Sequence, residues 1–179
     1  MRQRRTRPWL LLVVLALALG CWEREGNEAG AERTPAPDFE HADLAGETFR
    51  LSSLRGKTVV IDFWATWCPP CVFQPPELNS VWKRHREGGE LMVLGVEVGG
   101  ASVDEIRAWA EENGAVADYP VLTGADEDLA RRFGAMGFPA LVIVAPDGGI
   151  ESVHVGLMTA DDVEKAVAPL LANARAPAT

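Results

Sequence analysis

Cys68 and Cys71 stand three positions apart in Trp67-Cys68-Pro69-Pro70-Cys71, a spacing that serves thiol–disulfide exchange, half of a zinc site or haem attachment. In exchange, a thiolate on the first cysteine attacks a substrate disulfide, and the second resolves the mixed disulfide by closing an intramolecular bond. A helix start favours the thiolate through its unpaired N–H groups and positive dipole end. Cys68 is therefore predicted to be the attacking sulfur and Cys71 the resolving one. Pro69 and Pro70 carry no N–H, so the nearest donor left for a Cys68 thiolate is that of Cys71, and its stabilisation is expected to be modest. Haem attachment would need His at position 72, where Val72 stands. One pair is half the complement of a four-cysteine zinc site, and a static disulfide across two residues restrains the unfolded chain little. Redox chemistry is the leading reading.

The elements that must carry this pair read as alternating strands and helices. Thr58 to Trp64 is a β-branched and aromatic run suited to a strand covered on both faces, with Asp62 as its one misfit. A helix is predicted from Pro70 to about Arg86, with a kink just beyond Cys71 where Pro75 and Pro76 fall inside it. Leu91 to Val98 reads as a second buried strand. Ser102 ahead of Asp104 and Glu105 signals a helix start, and Gly114 its stop. Further elements are a short helix over Asp126–Phe133, a strand from Pro139 to Val144, a hairpin through Pro146–Gly149 to Ile150–Val155, and a last helix over Thr159–Leu171. Upstream, Leu44-Ala45-Gly46-Glu47 suggests a small hairpin. The fold class is α/β: a central mixed sheet flanked by helices, with an N-terminal β-hairpin and a strand-helix insertion.

The chain has 179 residues and a net charge of −9, but its first 20 residues hold four arginines and no acid, so the remainder carries −13. An acidic body without a basic patch argues against nucleic-acid binding. Arg2 to Arg7 followed by the apolar run Trp9–Leu19 reads as an export signal, too short for a comfortable spanning helix. Residues 1–20 are assigned to a lipoprotein-type signal peptide ending before Cys21, the predicted lipidation site. Lipidation also accounts for the odd one of three cysteines. Residues 21–36 read as a flexible tether, 37–174 as the folded domain and 175–179 as a tail. His41, His85 and His154 are scattered and read as surface or loop residues. No metal site or cofactor is expected.

The run Val60-Ile61-Asp62-Phe63-Trp64-Ala65-Thr66-Trp67-Cys68-Pro69-Pro70-Cys71 resembles the thioredoxin signature, and Gly137-Phe138-Pro139 resembles its cis-proline loop. The wider pattern, from Pro37-Asp38-Phe39 through Leu54-Arg55-Gly56-Lys57 to Tyr119-Pro120-Val121-Leu122 and Gly156, is similar to the TlpA/ResA subfamily within the AhpC/TSA-Redoxin superfamily. The resemblance implies a thioredoxin-like fold and catalytic residues Cys68, Cys71, Pro139 and Asp62. It also implies a substrate border made by Trp67, Pro69, Phe138 and Pro139. Asp62 falls where thioredoxins keep a buried acid that handles the proton of the resolving cysteine; a carboxylate satisfied by nearby donors is the other reading. The subfamily usually has Glu where Gln74 stands, and Gln cannot transfer a proton.

The expected activity is thiol–disulfide exchange, reducing specific envelope disulfides such as those of apocytochrome c or copper-site proteins. The implied partners are protein disulfides, a membrane electron carrier as reductant, and the membrane itself through an N-terminal lipid or anchor. The rival readings are a disulfide oxidase or isomerase, and a copper-binding metallochaperone module.

Overall fold

The computed structural model describes residues 33–174. A small antiparallel pair, β1 (Glu40–Ala42) and β2 (Thr48–Arg50), comes first. Asp43 closes its turn by accepting from the N–H groups of Ala45 and Glu47 at 2.8 and 2.9 Å. The main sheet holds β3 (Thr58–Trp64), β4 (Leu91–Glu97), β5 (Val121–Leu122), β6 (Ala140–Val144) and β7 (Ile150–Val155) in the order β5-β4-β3-β6-β7. β3, β4 and β5 are parallel, while β6 and β7 run antiparallel to their neighbours, so the sheet is mixed as expected.

Every residue of β3 is buried, which explains its continuous apolar texture. Side chains alternate across the strand. Val59, Ile61 and Phe63 join Leu94, Val96, Phe133 and Val142 on one face. Val60 meets Leu78 and Val81 of helix α1 (Gln74–His85), and Val163 and Val167 of the last helix, on the other. Asp62 and Trp64 share the parity of Val60 and so face the α1 side.

The chain ahead of α1 departs from the sequence expectation. Pro69–Phe73 forms a 3-10 turn, and the α-helix begins only at Gln74, with Pro75 and Pro76 in its first turn. There the missing N–H groups cost no intrahelical bond, so the prolines start a helix instead of kinking one. Helix α2 (Val103–Asn113) has the predicted ends, with a complete Ser102–Glu105 capping box and Gly114 left-handed at φ 63°. Asp126 caps α3 (Glu127–Arg132), and α4 (Ala160–Ala174) runs slightly past the expected end.

Pairing begins upstream of Pro37, within the segment read as tether. Pro35 bridges to Gly149, Ala36 N–H donates to Gly148, Ile150 N–H donates to Thr34, and Arg33 pairs with Asp147 and Glu151. Among the described residues no helix is long and apolar enough to cross a membrane.

Candidate redox active site

β3 runs out at Trp64, and the chain turns through Ala65–Trp67 so that Cys68 N–H donates to Ala65 O at 3.0 Å. Cys68 caps the 3-10 turn and is joined to Cys71 in a disulfide, with Cα atoms 5.5 Å apart. The two cysteines expected to pair are thus bonded to each other. Cys71 N–H donates to Cys68 O at 3.1 Å, so the donor that sequence left for the Cys68 sulfur is engaged by a carbonyl.

Both cysteines are covered in this oxidised form, Cys68 at 4% exposure and Cys71 at 1%. They belong to an apolar cluster with Trp64, Ala65, Ile106 and Val121, against which Phe138 packs. Beyond it Trp67 stands 57% exposed, in edge contact with Phe138 at 5.8 Å between ring centroids. Pro69 is exposed beside them. The Phe138–Pro139 peptide is cis, and Pro139 is buried. Its carbonyl accepts from Gly156 N–H at 2.8 Å. Ala140 pairs with Phe63, which brings Pro139 to the end of β3 from which the cysteine turn departs. Cys68, Cys71, Trp67, Phe138 and Pro139 thus gather at one end of the sheet, while Cys21 lies outside the described residues.

Asp62 lies on the α1 face of β3, 1% exposed, and its Oδ1 has no hydrogen-bond partner among the described residues. Burial alone pushes its pKa up to about 8, so the carboxyl is mostly protonated at neutral pH. The alternative of a carboxylate satisfied by nearby donors does not describe it. Tyr119, just ahead of β5, is raised well above the usual phenol range, first by its own burial and then by the charges of Asp62 and Asp118.

Two further buried polar groups frame the site. Gln74 donates Nε2 to the Met158 carbonyl and accepts Met158 N–H at Oε1, both at 3.0 Å, tying the start of α1 to the loop after β7. Sequence marked this position only as lacking an acid. Glu97, at the end of β4, was missed altogether. It is wholly buried, and its carboxylate accepts from Gly99 N–H at 2.8 Å and from Gly100 and Ala101 N–H at 3.1 Å each. The available signal was an acid within an apolar strand, two residues ahead of the Gly99-Gly100 turn. His85 approaches Glu164 at 2.9 Å, away from the cysteines in sequence and on the helix surface. Among the described residues no group of three or more His, Cys, Asp or Glu converges as a metal site.

The AhpC/TSA family profile matches residues 33–153, which include Asp62, both cysteines and Pro139. The chain is similar to the thiol-disulfide oxidoreductase ResA of Geobacillus thermodenitrificans, 29% identical over 158 residues that cover 87% of this chain and 88% of that protein. Among solved structures it is similar to MTB dsbF, determined in mixed oxidised and reduced forms, with 30% identity and a TM-score of 0.65 over 76% of this chain and 98% of that one. It is also similar to the exposed lipoprotein thioredoxin Etrx1 of Streptococcus pneumoniae, 28% identical with a TM-score of 0.65 over 75% of this chain and all of that one. Disulfide, mixed sheet and relatives agree: this is a thiol–disulfide oxidoreductase of thioredoxin-like fold, and the chain belongs to the AhpC/TSA family.

Proposed function

We propose that the chain reduces particular protein disulfides in the bacterial cell envelope. The observation that carries this direction is the donor-poor turn at Cys68: Pro69 and Pro70 have no N–H, and that of Cys71 is held by the Cys68 carbonyl. A strong oxidant needs a stabilised reduced form, and this turn offers a Cys68 thiolate little stabilisation, so the dithiol gives up its electrons readily. Midpoint potential against a glutathione or dithiothreitol buffer tests it. A value at or below the glutathione pool is expected, and one well above it would make the protein an oxidase.

In the proposed cycle the Cys68 thiolate attacks one sulfur of the substrate disulfide, forming a Cys68–substrate bond and releasing the other substrate sulfur as a thiolate that takes a proton from water. Cys71 then passes its proton to ionised Asp62 and attacks the Cys68 sulfur. The second substrate thiolate leaves, and two electrons have moved from the protein dithiol to the substrate. Asp62 ends protonated, which matches its raised pKa in the disulfide form. Trp67, Pro69, Phe138 and Pro139 border the substrate segment. A membrane electron carrier restores the dithiol.

The arginine-led apolar run ending at Gly20-Cys21, with the lipoprotein character of the pneumococcal relative, supports export and lipid attachment at Cys21. Residues 1–20 are then the signal, and the segment after Cys21 the tether. Cys21→Ala is expected to leave the protein unlipidated, read by mass spectrometry of the envelope fraction. Apocytochrome c and copper-site proteins are the client classes that the TlpA/ResA resemblance favours.

A further inference from the structure

Beside the redox turn lies a loop that the exchange chemistry does not use. Val98 N–H donates to Trp64 O at 2.9 Å, and Ser102 is fixed by its capping box with Glu105. Between them Gly99, Gly100 and Ala101 all direct their N–H groups onto the buried Glu97 carboxylate. Every backbone donor from 98 to 101 is therefore engaged, and the loop is rigid by construction.

The surface this loop presents is the backbone of Gly99. A Cβ there would stand 2.7 Å from Trp67 Nε1, 2.7 Å from Glu97 Oε1 and 3.0 Å from Ala65 Cβ, so any side chain would have to displace the indole or the carboxylate. The Trp67 indole thus approaches bare backbone at Gly99 and, elsewhere on its ring system, the edge of Phe138. Trp67 immediately precedes Cys68, so its placement sets the apolar border beside the sulfur.

We infer that Glu97 and Gly99 are positioning residues for substrate recognition: the carboxylate holds the loop, the missing Cβ admits the indole, and together they place Trp67 to receive a protein segment beside the disulfide. This rests on the reading of Trp67 as a substrate contact. A small aromatic disulfide, which needs no such border, is reduced independently of their arrangement.

The test compares Gly99→Ala, Glu97→Gln, Glu97→Ala and Trp67→Ala with the parent protein. Each is assayed on insulin as the protein disulfide and on dithionitrobenzoate as the small one, with urea unfolding and midpoint potential measured alongside. Gly99→Ala is expected to raise KM for insulin about five- to tenfold, with kcat on the small disulfide and the midpoint potential unchanged. Glu97→Gln keeps acceptor oxygen toward the loop and should recover most of what Glu97→Ala loses. The Trp67 contribution to fluorescence, isolated by subtracting the Trp67→Ala spectrum, should shift in Gly99→Ala. An unchanged KM for insulin in both Gly99→Ala and Glu97→Ala would overturn the inference, as would equal losses on both substrates. If Trp67→Ala itself leaves the insulin KM unchanged, the substrate role of Trp67 fails instead. A Trp67→Ala effect with neither a Gly99→Ala nor a Glu97→Ala effect rejects the positioning role alone.

Discussion

An aspartate in the middle of a fully buried strand, with one oxygen unpartnered, gives up stability whenever it is ionised. Its pKa is about 8 in the folded oxidised protein against about 3.9 for a free side chain, so across that window the folded state binds more protons than the unfolded one. Stability from this group is complete below pH 4 and is lost as pH rises through about 8. Asp62→Asn should therefore flatten the fall in urea midpoint between pH 4 and 8 and stabilise the oxidised protein at pH 7 by on the order of a few kcal/mol. The same variant should slow the resolving step, seen as accumulation of mixed disulfide in quenched samples. Cys71→Ser should trap a substrate on Cys68, located by peptide mass spectrometry; trapping on Cys71 in Cys68→Ser instead would reverse the assigned order. Asp62 was legible in the sequence because a charge interrupts a β-branched run. Glu97 carried the same kind of signal, an acid inside an apolar strand, but only the fold shows that the turn after it aims three N–H groups back at the carboxylate.

At the scale of elements, the junction between the 3-10 turn and α1 depends on one amide. Gln74→Ala would leave the Met158 N–H and carbonyl without their partner and should lower unfolding free energy by about 1–3 kcal/mol in urea titration. Removing the α2 cap with Ser102→Ala should cost about 1 kcal/mol by the same measurement. The two cases differ in what sequence can reveal. Helix α2 was readable at both ends because Ser102, Glu105 and Gly114 act on their immediate neighbours. The redox turn was read as the first turn of a helix kinked just beyond Cys71, because proline spacing tells that backbone donors are missing but not where the 3-10 turn gives way to the α-helix. The partner of Gln74 lies 84 residues away, beyond any local signal.

For the whole molecule, the strand and helix order was legible because burial on both faces of β3 and β4 leaves a continuous apolar imprint. The start of the ordered body was less so: the composition of residues 33–36 is that of a linker, and the distant hairpin segment Asp147–Glu151 gives them partners. Compared with a chain beginning at Arg33, one beginning at Pro37 should lose roughly 1–2 kcal/mol in urea titration through the missing backbone bonds to Gly148 and Ile150. These contacts sit beyond the Val144 end of β6, and Pro139 precedes its Ala140 end. Five residues of strand separate the two by roughly 17 Å. Arg33 to Ala36 therefore grip the blunt end of the body and leave its opposite, reactive end uncovered by them.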